Sequence, residues 1–217
     1  MLLEMSIKTQ LIKGVFMSQK KRIKISKKEA EALYNDSWLY AILLATIIIL
    51  MESLSSYEFN LKGTYLSYGI FLLPITFFVT NYVAKRYDYK KCVSGIAIAA
   101  SLFVCFMGII SFALGKRLSI TEFGGEFLAF IISQLVNLTI YLFLLNNTKS
   151  PIILIFFNYL FALIIYYMVY TLIYLDNTIY EGYWNSYFLT IGIQALLCIP
   201  LSIIDRFIKK GRIPLSE

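Results

Sequence analysis

Six stretches of apolar sequence, most of them near the length of a membrane-crossing helix, constrain this chain more than any other feature: residues 39–54, 65–84, 93–114, 127–145, 151–175 and 187–207. A helix needs about 20 mostly apolar residues to cross the hydrocarbon core of a bilayer. The pattern predicts an all-α, polytopic integral membrane bundle of six transmembrane helices over residues 38–212. Composition agrees, because only 15% of the residues are charged where a water-soluble domain carries about 25%.

The basic residues set the expected orientation. Of the 20 lysines and arginines, only Lys62, Lys116 and Arg117 fall in segments that lie outside if the N-terminus is cytoplasmic. The positive-inside rule then places both termini in the cytosol, in a multi-pass protein of the cell inner membrane. Residues 1–37 form a basic cytoplasmic segment without the apolar core of a secretory signal. Met17 offers a second start, in which case residues 1–16 are upstream sequence without structural meaning. Ser26 and Glu29 make a capping box that predicts a short surface helix over 27–35. The basic run 20–28 reads as a topology anchor on anionic lipid, ahead of RNA binding. Trp38, Tyr40, Tyr183, Trp184 and Tyr187 sit where an aromatic belt is expected.

Several chemistries are excluded early. The chain has no histidine, which removes the Ser-His-Asp triad, the imidazole base and His-ligated metal sites. Cys92, Cys105 and Cys198 are too far apart in sequence for a thiolate pair. There is no phosphate-binding glycine loop. Glu52, Lys85, Glu126, Asp176 and Asp205 all fall near the ends of spans, so the interior is expected to hold no charge, and with it no intramembrane carboxyl pair or proton relay. The chain reads as a non-enzyme with no cofactor and no metal.

The spans do hold neutral hydrogen-bonding side chains. Phe130, Gln134, Asn137 and Tyr141 recur at intervals that stack them on one helix face. Phe77, Thr80, Asn81 and Ala84 make a comparable face in the second stretch, and Asn158, Thr190 and Gln194 add two amides and a hydroxyl. An unsatisfied amide in hydrocarbon costs several kcal/mol, so these groups should turn inward. They serve either as interhelical glue or as a shared pocket whose amides read the edge of a flat neutral molecule while rings cover its faces. Gly95 and Ala99 form a small-xxx-small pattern for close packing. Pro74 and Pro200 lie inside spans and predict kinks or breaks.

The segment Gly69-Ile-Phe-Leu-Leu-Pro74-Ile-Thr-Phe77-Phe-Val-Thr80-Asn81-Tyr-Val-Ala-Lys85-Arg-Tyr87 resembles the signature of the vitamin uptake transporter (VUT) family, best known as queuosine precursor transporters. Ser133-Gln134-Leu-Val-Asn137 is similar to that family's Gln-x-x-Asp helix, and Cys198-Ile-Pro200-Leu-Ser202 to its last span. The resemblance covers residues 38–212 and implies import of 7-cyano-7-deazaguanine or a related 7-deazaguanine or purine-like base. That agrees with the pocket read from the helix faces, whose candidate substrate contacts are Phe77, Thr80, Asn81, Phe130, Gln134, Asn137, Tyr141, Asn158, Thr190 and Gln194. The chain departs from the family where Asn81 and Asn137 replace acids, Phe161 another acid, Thr190 a lysine and Asp88 a loop glycine. Acids and base are lost together, as groups that had paired would be, and a facilitator or exchanger is expected in place of a proton symporter. The expected partners are the lipid bilayer and a purine-like small molecule, with no nucleic acid; self-association into a homo-oligomer stays open. The alternative is a substrate-binding subunit of an ATP-driven vitamin importer, which would dock through the Ala41 and Ala45 face of the first span.

Overall fold

In a computed structural model, the described residues are 27–61, 63–114, 120–147, 152–174 and 183–208. The chain divides into a unit Met1–Asp36 and a unit Ser37–Glu217. In the first, the described part is the helical stretch that begins at Lys27; Ser26, the second start at Met17 and the basic residues Lys20, Lys21, Arg22 and Lys24 of the run 20–28 lie outside the described residues. The helix that begins there is α1 (Lys27–Ser55), so the residues expected to be helical over 27–35 are helical.

The second unit continues with a hairpin, β1 (Glu58–Leu61) and β2 (Thr64–Ser67), and a single 3-10 turn (Tyr68–Phe71). Five further helices follow: α2 (Leu73–Ala84), α3 (Tyr89–Leu114), α4 (Ile120–Asn147), α5 (Ile152–Tyr174) and α6 (Tyr183–Phe207). Five helices among the described residues, α1 and α3 to α6, are long and apolar enough to cross a membrane. Their outward faces carry large apolar side chains in the open, among them Leu39, Phe112, Phe143, Leu172, Phe188 and Phe207. A water-soluble monomer rarely exposes apolar surface on that scale, whereas lipid solvates it at no cost. The chain is a helical multi-pass membrane protein.

The second apolar stretch is where structure and expectation part. Residues 65–84 do not form one spanning helix. Thr64–Ser67 pairs antiparallel with Glu58–Leu61, the register running from Glu58 opposite Ser67 to Leu61 opposite Thr64. The turn closes through Gly63, whose φ of 86° lies where a side chain is strained, and Asn60 Oδ1 accepts from Gly63 N at 2.9 Å. Ser67 then caps the 3-10 turn, its Oγ accepting from Gly69 N at 3.0 Å. Pro74 sits in the first turn of α2, where its missing N–H has no helical partner to lose. It starts a helix and does not kink one. The 12 residues of α2 reach about 18 Å at 1.5 Å per residue, well short of the roughly 30 Å hydrocarbon core.

This shortest helix lies at the centre. It packs against α3, α4, α5 and α6, and nine of its 12 residues are buried: Leu73, Pro74, Thr76, Phe77, Val79, Thr80, Asn81, Val83 and Ala84. The hairpin and 3-10 turn pack on α6, and Ser67 Oγ donates to Leu54 O of α1 at 3.3 Å. Pro200 lies inside α6.

Small residues act as the sequence pattern suggested. Gly95 and Ala99 on α3 are both buried, and the Tyr40 ring of α1 lies so close to Gly95 that any Cβ there would overlap it. Tyr40, expected in the aromatic belt, is thereby a core residue at 4% exposure. Overpacking of this kind costs about 1–3 kcal/mol. Gly95→Leu should therefore lower the unfolding temperature of detergent-solubilised protein, while Gly108→Leu on the same helix, where an added Cβ would meet nothing within 4 Å, should leave it unchanged.

Candidate functional site

Every residue singled out in the sequence as a binding candidate is buried. Phe77, Thr80, Asn81, Gln134, Asn137 and Gln194 have no exposure at all, and Phe130, Tyr141, Asn158 and Thr190 have 8% or less. The polar atoms of most of them form a column along α2 in three levels.

At the first level, toward the hairpin end of the bundle, Gln194 Nε2 donates to the Ile70 carbonyl at 2.7 Å. That carbonyl belongs to the 3-10 turn, and α6 closes it off. The second level joins α1, α2 and α4. Gln134 Nε2 donates to Thr76 Oγ1 at 2.6 Å, and Gln134 Oε1 lies 2.8 Å from Thr80 Oγ1. Tyr40 OH is 3.1 Å from the same Thr80 oxygen. The amide of Gln134 is thus gripped on both edges by hydroxyls one turn apart, an arrangement that needs threonine at both i and i+4.

The third level is a ladder of carboxamides across three helices. Asn137 Nδ2 of α4 donates to Asn81 Oδ1 of α2 at 2.9 Å, and Asn158 Nδ2 of α5 donates to Asn137 Oδ1 at 2.8 Å. Tyr159, next to Asn158 in sequence on α5, is buried. Asn158 Oδ1 and Gln194 Oε1 are buried acceptors with no hydrogen-bond partner among the described residues.

Beyond the ladder, at the C-terminal ends of α2 and α6, stands a feature that sequence reasoning missed. Lys85 and Asp205, expected near water, are 6% and 0% exposed and form an ion pair at 2.9 Å. Tyr141 OH donates to Asp205 Oδ2 at 2.8 Å. Lys85 Nζ also donates to the carbonyls of Asp205 and Ile208, at a helix C-terminus where the backbone dipole favours a cation. Among the described residues the protein's interior thus holds this one buried ion pair, at the helix ends. Its signal was present in the spacing: Phe77, Asn81 and Lys85 recur every four residues, and Gln194, Cys198, Ser202 and Asp205 share a buried face of α6.

Not every candidate joins the column. Thr190 Oγ1 donates within its own helix to Ser186 O at 2.8 Å, and Phe130 contributes its ring to the core. Of the family departures, Phe161 is half exposed on the outer face and Asp88 is exposed in the turn after α2. Ala41 and Ala45 are 0% and 3% exposed, packed inside the bundle, so the face expected to dock an ATPase partner is already covered. Compared with known proteins, the chain matches no family model, and no curated protein and no solved structure is significantly similar to it.

The two kinds of level differ in what their loss costs. Removing one member of a buried ion pair leaves an uncompensated charge and costs about 3–5 kcal/mol, whereas replacing both by apolar groups is often neutral. Lys85→Met or Asp205→Leu alone should sharply lower thermal stability in detergent, and the Lys85→Met/Asp205→Leu double variant should recover most of it.

Proposed function

We propose that this protein is a membrane carrier for a small, flat, uncharged solute that hydrogen-bonds along one edge, and that both termini face the cytosol. The resemblance of residues 69–87, 133–137 and 198–202 to the queuosine precursor transporters points to 7-cyano-7-deazaguanine or a related purine-like base as the substrate. The observation that carries the reading is the carboxamide and hydroxyl column of Thr76, Thr80, Asn81, Gln134, Asn137 and Asn158 around the half-length helix α2.

Two physical arguments support it. Asn and Gln carboxamides present a donor beside an acceptor, the pattern that pairs bidentately with purine edges. Interhelical side-chain hydrogen bonds in membranes are worth only about 0.6 kcal/mol each on average, so a solute offering the same donors and acceptors replaces them at little net cost. Asn158 Oδ1 and Gln194 Oε1, which have no hydrogen-bond partner among the described residues, are the acceptors such a solute gains. Short or interrupted helices at mid-membrane are where carriers build their sites. The neutral column and the internally balanced Lys85–Asp205 pair favour downhill exchange, with intracellular consumption trapping the solute.

The test is uptake in a strain unable to make queuosine, read as the modified base in tRNA. Wild type should restore the modification. Gln134→Ala and Asn137→Ala should each lower it by about tenfold or more, the scale of one to two lost hydrogen bonds, with membrane insertion intact. Full modification in both variants would remove the site assignment, and none with wild type the substrate.

A further inference from the structure

The Lys85–Asp205 ion pair brings the C-terminal ends of α2 and α6 together, and the turn from α2 into α3 lies with them. In the unit Ser37–Glu217 this end exposes Arg86, Lys90 and Arg206, with Lys91 half-buried. Outside the ion pair, Asp88 is the one carboxylate described there, and Arg86, Lys90 and Lys91 form no ion pair among the described residues. The turn is closed on both sides: Arg86 N and Tyr87 N donate to Val83 O at 2.9 and 3.0 Å, and Cys92 N donates to Asp88 O at 3.2 Å. Two of its cations lie on rings. The Arg86 guanidinium is 4.6 Å from the centre of the Tyr82 ring, and Lys91 Nζ is 5.4 Å from that of Tyr87. Contacts of this kind restrict long side chains in advance, so a ligand meets them at a smaller cost in entropy.

Depth selects the ligand. The apolar span of α3 begins at Tyr89, itself 44% exposed, an aromatic residue at the level where hydrocarbon gives way to headgroups. Lys90 and Lys91 fall in the first turn of that span, and side chains of their length reach the phosphate level by snorkelling. An acidic protein or a nucleic acid would have to enter the headgroup layer to meet them, whereas a lipid phosphate is already there. The arginine fork also matches phosphate oxygens two at a time. We propose that the α2–α3 turn is a binding site for the headgroup of an anionic phospholipid, its phosphate lying between the ring-held Arg86 and Lys91. Lys90 and Arg206 add to the attracting field. A zwitterionic lipid brings the same phosphate with its own cation, and so gains less. The site is separate from the carrier reading, and either stands if the other fails.

The experiment uses full-length protein in phosphatidylcholine nanodiscs, which leave both membrane faces open, doped with a diazirine-bearing phosphatidylglycerol or the matching phosphatidylcholine. Labelling is located by mass spectrometry of peptides that contain residues 82–91. In wild type the phosphatidylglycerol should label this segment about 5- to 30-fold more than the phosphatidylcholine, the factor that one to two interfacial cations supply. Salt at about 1 M, where the screening length is roughly 3 Å, should bring the ratio close to one, a measurement that needs no variant. Arg86→Gln/Lys91→Gln should do the same at low salt. Lys20→Gln/Lys21→Gln, which removes equal charge from the N-terminal segment, should leave the ratio unchanged. Equal labelling of wild type by the two lipids overturns the proposal. So does an equal loss in the two double variants, which would assign the preference to overall charge. Displacement of the label by a stoichiometric RNA oligonucleotide also overturns it, in favour of nucleic acid.

Discussion

Inside a bilayer no water completes the hydrogen bonds of a polar group, so each such group must find its partner in the protein. That constraint organises this bundle. α2 is too short to be held by length or by a lipid-facing surface, and its Thr76, Thr80 and Asn81, with Lys85 at its C-cap, are all buried. Each is met from a neighbouring helix, by Gln134 and Asn137 from α4 and by Asp205 from α6. The register of α2 against α4 and α6 is fixed by these pairings, since a shift of one residue would turn every one of them onto a different face.

The column is not uniform in strength. Its neutral levels are built from groups that can change partners cheaply, and they include acceptors with none. The charged level cannot do so, because separating Lys85 from Asp205 leaves two ions in a low-dielectric interior. A bundle with an exchangeable middle and a locked end suits the carrier proposed above, whose central groups would meet a solute while its helix ends keep their places. The hairpin with its Phe59, Tyr68 and Phe71 ring cluster covers the opposite end.

Much of this is legible in the amino-acid sequence. Apolar length alone marks α1 and α3 to α6, and a period of three to four residues puts Phe130, Gln134, Asn137 and Tyr141 on one face, where all four are buried. Residues 65–84 mislead because their apolar run has no period: a short strand, a 3-10 turn and a buried helix are alike in hydropathy. The cues that divide the run are local. Asn60 and Gly63 mark a turn, and Pro74 marks a helix start. Lys85 and Asp205 mislead for another reason. A charged residue near the end of a span is read as reaching water, and whether it does so depends on what packs over it.

The sequence by itself determined that the chain belongs in a membrane, which segments form its long helices, and which faces of those helices are polar, because these follow from composition, length and period along the chain. Only the tertiary structure decided that α2 is half-length and central, that the amides of α2, α4 and α5 join into a ladder, and that Lys85 finds Asp205 across 120 positions of chain. Those outcomes are set by which helices become neighbours, and neighbours are chosen by the summed packing of all the faces at once, a quantity no single segment carries.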